Sequence, residues 1–299
     1  MFISSEFDIF ARKPVQESVH ETVDLVYKPI ASVDQSDLDF LIPADNETYI
    51  DPDIKVYIRG KLTKVDGTAL DDTDFTSVTN NFLHSLFSQC TVALNGTTIT
   101  QGIEFYNYLS LLETFLTYVS DAACTHLKNS MWFLDNGSLV PCDPNGADST
   151  NTGFMTRWRL TKKGLEIELY GLIHRDFCNV PVYLLPGVRL QIKFTKAKSG
   201  FYLMNEKADS KSIFQFLDAQ LWVRLVRPKP TISLAHKVVL SKDNVARYIM
   251  TTAELKSFTF SNGSQSLSVD NAVLGPIPQR LLFTMIKNND FLGSIDTNP

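Results

Sequence analysis

The chain of 299 residues is 44% hydrophobic and 20% charged, which gives a globular protein enough apolar material for one large core or two domains. No apolar run reaches the roughly 18 residues that a membrane-spanning helix needs. The N-terminus also lacks the basic and apolar blocks of a secretory signal, so we expect no transmembrane segment and synthesis in the cytoplasm or nucleus.

The net charge of −5 hides an uneven distribution along the chain. Residues 1–150 carry 8 basic and 22 acidic side chains, whereas residues 151–260 carry 18 basic and 8 acidic ones. Either the solvated faces simply differ, or an acidic surface of one copy meets a basic surface of another. The basic residues are scattered and no recognition motif accompanies them, so we expect no sequence-specific nucleic-acid binding.

The first 20 residues are a predicted N-terminal arm, which either reaches a neighbouring subunit or remains a free tail. Its apolar side chains fit no single helix face: Phe2, Ile3, Phe7, Ile9 and Phe10. Strand patterns follow the arm, most clearly at 188–194, where apolar and polar residues alternate. Other strands are expected at 23–29, 38–43, 54–63, 155–160, 165–173, 201–204, 219–226, 255–260 and 280–286. Many short strands between turn residues predict an all-β sandwich or jelly roll.

Residues 80–100 contain the strongest turn signal of the chain. Asn95-Gly96 separates two β-branched runs, 91–94 and 97–100, and this pair tolerates the positive φ of a type I′ turn. A β-hairpin is therefore expected here. His84 and Cys90 precede it among apolar neighbours, and we interpret them as core residues rather than as a metal ligand or nucleophile.

An amphipathic helix is predicted over 103–123. Its residues 103–120 are expected to form the insertion between strands. Its apolar residues recur at spacings of three and four, and we expect this face to pack against a sheet: Phe105, Tyr108, Leu112, Phe115, Leu116 and Val119. A shorter helix is predicted over 233–240, where a strand is the alternative.

The sequence shows no glycine-rich phosphate loop, H-E-x-x-H pair or nucleophile elbow. Carboxylates in 66–74 and the pair Asp51 and Asp53 are better explained as a solvated loop and a turn than as a calcium site or an acid–base pair. The nearest approaches to zinc spacing are Cys124 with His126, and His174 with Cys178. Cys142 and the remaining histidines, His20 and His236, form no cluster with these residues in the sequence. We therefore expect that the chain has no catalytic, cofactor or metal site and is not an enzyme.

Seven segments in a fixed order give the chain a family resemblance: FARKPVQESV, YIDPDIKVYIRGKLTKVDG, VTNNFLHSLFSQCTVALNGTTIT, NYLSLLETFLTY, LPGVRLQIKF, LDAQLWVRLVRPKP and LGPIPQRLLFTMIKNNDFLGSIDTNP. Together they resemble the major capsid (hexon-like) protein of Maverick/Polinton elements and adintoviruses. The resemblance implies a double jelly roll, in which three chains form a pseudo-hexagonal capsomer that tiles an icosahedral shell around double-stranded DNA. It also implies a virion location and contacts with neighbouring capsomers, and it admits penton and minor capsid proteins as partners.

On this resemblance, the expected domains are the arm 1–20, a first jelly roll 21–212 and a second jelly roll 213–299. The second is expected to be incomplete, because only four or five strands are predicted there and a jelly roll needs eight. Two alternatives remain open. The chain is either a lectin-like binding module, since jelly rolls also serve in this way, or a host-recruited copy of a capsid gene that does not form shells. A third class, a cupin-like oxygenase, would need converging metal ligands that the scattered histidines do not provide.

Overall fold

The computed structural model describes residues 18–34, 37–71, 76–100, 105–136, 151–204, 212–270, 272, 273, 275 and 277–291. Its strands are β1 (Val19–Tyr27), β2 (Asp37–Ile42), β3 (Tyr49–Ile50), β4 (Lys55–Lys64), β5 (Ser77–Val78), β6 (Phe87–Leu94), β7 (Thr97–Thr98), β8 (Ile167–Leu172), β9 (Leu190–Lys196), β10 (Leu203–Met204) and β11 (Ser212–Pro228). Its helices are α1 (Phe82–Ser85), α2 (Tyr106–Thr117), α3 (Ser120–Ala123), α4 (Thr152–Thr161), α5 (Ser199–Tyr202), α6 (Pro230–Leu240) and α7 (Asn288–Phe291). Three single 3₁₀ turns occupy His126–Ser130, Lys162–Gly164 and Asp176–Asn179.

Most of the strands form two antiparallel sheets that share one core, and the short strands β5 and β10 pair with each other separately. One sheet has the order β1-β11-β4-β8, with β3 added to β11, and the other has the order β2-β9-β6-β7. The short strands β3, β5 and β10 can be set aside, and the remaining eight strands renumbered 1 to 8 in chain order. The two sheets then have the orders 1-8-3-6 and 2-7-4-5. Apart from the β6–β7 hairpin, successive strands therefore alternate between the sheets, which is the eight-stranded arrangement of a jelly roll.

Alternating side chains build the shared core of this sandwich. Leu190, Ile192 and Phe194 of β9 are fully buried and face Val56 and Ile58 of β4 in the same apolar cluster. β4 and β9 thus contribute one apolar face to the interior and leave their polar faces outside. The all-β jelly-roll fold expected from the sequence is confirmed.

The predicted hairpin is also confirmed, because β6 and β7 pair antiparallel across Asn95 and Gly96. These two residues have φ values of 49° and 84°. Only a left-handed backbone closes a two-residue loop with the twist of the strands, and Asn-Gly adopts it at low cost. Asn95 also accepts a hydrogen bond from the backbone N–H of Arg189 at 2.8 Å, which ties the turn to the start of β9.

The expected boundary between two jelly rolls at residues 212 and 213 is wrong. β11 begins there and lies between β1 and β4, paired with both. Its residues Phe214, Ala219 and Leu221 belong to the core of the first sandwich. The first jelly roll therefore extends through Pro228, since this strand is its eighth.

Other expectations fail for local reasons. Residues 155–160, predicted as a strand, lie in α4, whose first turn is capped by the side chain of Asn151. Residues 201–204 are half helix, in α5, and half strand, in β10. Described residues in 255–260 and 280–286 form no strand, and α6 and α7 are the regular elements described after Pro228. The helix over 233–240 is confirmed by α6. The arm 1–17 and Cys142 lie outside the described residues.

Candidate functional site

The densest group of buried polar side chains lies where α1, α2 and the segment after β8 meet. His84 of α1 and Tyr106 of α2 are joined by a contact of 3.0 Å between Nδ1 and the phenol oxygen. His174, just after β8, places Nδ1 3.0 Å from Oε2 of Glu113 on α2. The two imidazole rings lie edge to face with centroids 4.6 Å apart. Four residues that are distant in sequence thus form one network in the interior.

Tyr106 contacts both histidines of this network. The backbone N–H of His174 donates to the phenol oxygen of Tyr106 at 3.4 Å, and the same oxygen is in hydrogen-bond contact with Nδ1 of His84. Burial, together with the nearby His174, holds the pKa of His84 well below 6.5. His84 is therefore neutral at pH 7.

Glu113 is the charged member of the network. Burial works to raise the pKa of this carboxyl, but the hydrogen bond and charge of His174 and the hydrogen bond from Asn179 outweigh it, and the pKa lies below 4.5. Asn179 donates to Oε1 at 2.8 Å, so each carboxylate oxygen has a donor. The carboxylate of Glu113 is thus held in place by its own helix, α2, on one side and by the segment after β8 on the other.

Arg175 lies beside this network and is also buried. Among the described residues, its Nε and Nη2 atoms have no hydrogen-bond partner. Its guanidinium carbon lies 5.5 Å from the centre of the Tyr106 ring, a cation–π distance that offsets part of the desolvation cost. Burial raises the pKa of the neighbouring Cys90 thiol to about 11, against the opposing effect of Arg175. The thiol is therefore protonated at pH 7 and unsuited to nucleophilic attack.

These groups hold protons and charges in fixed places rather than moving them. His84, Tyr106 and His174 are each less than a tenth exposed, and both oxygens of Glu113 are occupied. Within the part of the chain that the structure describes, no group of three His, Cys, Asp or Glu residues is placed to hold a metal ion. The network instead fastens α2 to the sandwich. Sequence reasoning placed His84 and Cys90 in the core but missed their neighbours, because Glu113 and His174 are 61 residues apart.

The remaining residues considered from the sequence do not converge. The Oδ1 atom of Asp51 accepts the backbone N–H of Asp53 at 3.1 Å, which is a turn contact. Asp66 accepts the backbone N–H and hydroxyl of Thr68 in the same local manner. Cys124 is exposed, and His126 packs its ring on Tyr118. His236 instead bonds through Nδ1 to the Tyr49 hydroxyl at 2.7 Å, which docks α6 on β3.

The surface features of note are apolar rather than catalytic. On α2 the expected core face is wrong in part, because Phe115, Leu116 and the following Val119 are 54%, 65% and 74% exposed. The helix buries its opposite side, which carries Tyr106, Asn107, Ser110 and Thr114, and Tyr108 of the expected face is buried as well. α6 has no buried residue although Leu234, Val238, Val239 and Leu240 lie along it. A helix that is apolar on its exposed side is typical of a covered surface.

Further exposed apolar side chains follow α6. They are Val245, Ile249, Met250, Phe258, Phe260, Leu267, Val273, Ile277, Leu281, Leu282, Phe283, Met285 and Ile286. The polar contacts of this segment with the sandwich include two near its start: the Tyr248 hydroxyl accepts the backbone N–H of Leu185 at 3.0 Å, and Asp176 accepts that of Ala253 at 3.3 Å. At its end, the ring of Phe291 stacks on that of Tyr108 with centroids 5.3 Å apart. In the described residues, no helix has the length and apolar content to cross a lipid bilayer.

No protein-family model matches the chain, and no curated protein matches it. Among solved structures, a chain of the Sputnik virophage determined by cryo-EM is 10% identical, with a TM-score of 0.48 over 77% of this chain and 53% of that one. The Faustovirus major capsid protein is 10% identical, with a TM-score of 0.46 over 78% of this chain and 58% of that one. The mavirus major capsid protein is 10% identical, with a TM-score of 0.36 over 76% and 50%. The chain therefore spans about half the length of these structures.

Proposed function

We propose that the chain is a non-enzymatic structural subunit of an icosahedral viral capsid. The jelly-roll strand order is shared by viral capsid domains, lectins and cupins, so the fold alone leaves three classes. The observation that carries the choice is the outward apolar face of α2 and α6. A lectin or an enzyme works through a concave site with a few converging polar groups, whereas a shell subunit works by burying apolar surface against copies of itself.

The arrangement of α2 is specific support for this choice. Its buried side is held by hydrogen bonds: Tyr106 contacts His84, Ser110 accepts one from Asn81, and Glu113 accepts one from His174. The helix is therefore not free to turn its apolar side inward. Phe115 lies edge to face on the buried Trp132, with ring centroids 4.9 Å apart, and presents its other edge to solvent. A fixed apolar face on the outside of a complete sandwich suits lateral contact with another subunit.

The finer features of the proposal follow from the resemblance of the sequence to the hexon-like capsid proteins of Maverick/Polinton elements and adintoviruses. Three chains would form a pseudo-hexagonal capsomer, which would associate with its neighbours around double-stranded DNA in a virion. The second jelly roll of that family would be contributed by residues after Pro228, and penton and minor capsid proteins would complete the shell. The uneven charge of the chain supports lateral contacts, because opposite charges steer copies together.

The test is the mass of the purified chain in solution. One chain has a mass of 33.6 kDa, and we expect light scattering after size exclusion to give three times that value, with pseudo-hexagonal particles in electron micrographs. Leu116→Asp should shift the species to monomer, because burying an uncompensated carboxylate in an interface costs several kcal/mol.

Arg159→Asp is the matched control. It adds an acidic side chain to an exposed position of another helix, α4, and should leave the mass unchanged. A wild-type chain that stays monomeric at high concentration would contradict the proposal, and a monomer that binds glycans would favour the lectin-like alternative.

A further inference from the structure

Two helices on the outside of the sandwich carry apolar faces that are open to solvent. The α2 face consists of Phe115 and Leu116 with the following Val119, each more than half exposed. The α6 face consists of Leu234 and Val238, which are 63% and 45% exposed. Because these side chains are exposed within one chain, the two faces do not cover each other. Exposed apolar faces of this kind mark surfaces that a partner covers.

The contact of α6 with the sandwich leaves the α6 face pointing away from it. Nδ1 of His236 bonds to the hydroxyl of Tyr49 at 2.7 Å, and this contact fixes the inner side of the helix. Leu234 and Val238 each lie two residues from His236, and two residues turn an α-helix by about 200°. The α6 face is therefore on the outer side of its helix, as the α2 face is.

The surroundings of the two faces carry opposite charge. Residues 105–127, which include α2, contain two acidic side chains and no Lys or Arg. Residues 229–247, which include α6, contain four basic side chains and one acidic one. The charged side chains close to the faces in sequence are exposed: Asp121 beside the α2 face, and Lys237 and Lys242 beside the α6 face. The α2 face thus has an acidic border and the α6 face has a basic one.

We propose that the α2 face of one copy packs against the α6 face of a second copy of this chain. The inference rests on the proposed function, because it names the two surfaces through which shell subunits meet. The helices have 12 and 11 residues, so each offers an apolar edge of about 17 Å that the other covers along its length. The contact joins different surfaces of the two copies, and a cyclic trimer is built from contacts of this heterologous kind.

The charges favour this pairing over contacts between identical faces. Two α2 faces in contact would bring the Asp121 carboxylates of both copies together, and two α6 faces would gather Lys237 and Lys242. Like charges across an interface oppose association, whereas Asp121 near Lys237 or Lys242 favours it. The same pairing brings the acidic part of the chain, 1–150, to the basic part, 151–260, of its neighbour.

The experiment mixes two purified variants of the full chain and measures the mass by light scattering after size exclusion. The variants are Leu116→Asp, which alters the α2 face, and Val238→Asp, which alters the α6 face. Each alone should give the monomer mass of 33.6 kDa, because every contact between identical copies then contains an altered face. An equimolar mixture should give twice that mass and no more, because one intact α2 face meets one intact α6 face and both remaining faces are altered.

Two results would overturn the inference while the wild-type chain remains a trimer, and they would leave the proposed function standing. The first is an equimolar mixture that stays monomeric, since intact faces would then be present without binding each other. The second is a Val238→Asp variant that keeps the wild-type mass, since α6 would then lie outside the interface. A monomeric wild-type chain would instead overturn the proposed function and this inference together.

Folding of the variants is checked separately from their association. All the substituted side chains are exposed, and urea midpoints that match the wild type show that each variant is folded. The pair Val119→Asp and Leu234→Asp repeats the test at other positions of the same two faces. It should give the same two monomers and the same mixed dimer, and a mixture of this second pair that stays monomeric would likewise overturn the inference.

Discussion

Arg157 is the residue whose removal we expect to destabilise the sandwich most clearly. It lies in α4, is fully buried, and joins three parts of the chain. Its Nε donates to the carbonyl of Val78 at 2.8 Å, its Nη2 donates to Oδ1 of Asp135 at 2.7 Å, and its Nη1 donates to the carbonyl of Phe133. Burial lowers the pKa of the guanidinium and Asp135 opposes this, and an arginine in such a pair stays charged at pH 7.

Arg157→Met keeps most of the buried volume but removes every donor. Two carbonyl oxygens and the carboxylate of Asp135, which is 15% exposed, then lose the hydrogen bonds that the guanidinium donates. An unsatisfied buried acceptor costs about 1–3 kcal/mol, and removing one member of a buried ion pair costs about 3–5 kcal/mol. These contributions overlap, so we expect the free energy of unfolding to fall by about 4 kcal/mol, a large part of the 5–15 kcal/mol typical of a domain.

The matched control is Arg59→Met. Arg59 reaches Glu166 at 3.7 Å on the surface of the sheet, with both side chains about half exposed. Removing such a pair costs about 0–1 kcal/mol. Urea unfolding followed by the fluorescence of the buried Trp132 and Trp158 measures both variants. Equal losses of stability in Arg157→Met and Arg59→Met would refute the assigned role of the buried pair.

Two further changes test the packing and the pH response. Gly60→Ala should cost about 1–3 kcal/mol, because the added Cβ would lie 2.5 Å from the backbone oxygen of Gln215. Gly171→Ala should cost less, because the nearest contact of its added Cβ, at 2.8 Å, is the movable end of the Leu83 side chain. The urea midpoints of the two variants measure both costs. A larger loss of stability in Gly171→Ala than in Gly60→Ala would count against this ranking. Below about pH 6.5, His84 binds a proton in the unfolded chain but not in the folded one, where burial lowers its pKa. The free energy of unfolding should therefore fall by about 1.4 kcal/mol per pH unit until the pKa of His84 in the folded state is reached. His84→Asn should reduce that slope between pH 7 and 5, above the range in which Glu113 titrates, and unchanged slopes would show that another group is responsible.

The parts of the fold that depend on neighbouring residues were predictable from the sequence. The alternation in β9 and the Asn95-Gly96 turn are local signals, since side-chain direction in a strand and turn geometry are decided within a few residues. The site could not be predicted in the same way. Arg157 contacts a carbonyl 79 residues away and a carboxylate 22 residues away, and no local pattern marks such partners.

The α4 segment shows how two local signals can compete. Residues 155–160 alternate well enough to suggest a strand, but Phe154, Met155 and Trp158 are buried at helical spacing. Asn151 accepts the backbone N–H of Phe154 at 3.0 Å, so the helix begins with a satisfied cap. The N-cap and the helical spacing of the buried residues make this segment a helix rather than a strand.

The orientation of α2 explains why a correct helix prediction gave the wrong inner face. The hydrophobic pattern identifies the apolar side of a helix, but burial depends on what the polar side can bond. Ser110 donates to the carbonyl of Asn107 at 2.8 Å and Thr114 donates to that of Ser110 at 2.7 Å, so these hydroxyls enter the interior already satisfied. Burying them costs little, and the buried Glu113–His174 pair then holds the helix in this orientation.

This orientation separates folding from assembly in a way that one variant can test. Because the inward side of α2 carries the contacts that hold it, a change at Leu116 removes no contact with the core and should alter the free energy of unfolding by no more than about 0.5 kcal/mol. The same change should prevent association if the apolar face of α2 is an intersubunit surface. Leu116→Asp should therefore give a folded monomer with an unchanged urea midpoint. A variant that lost stability and association together would show instead that this face supports the fold, and the argument for a shell subunit would lose its principal observation.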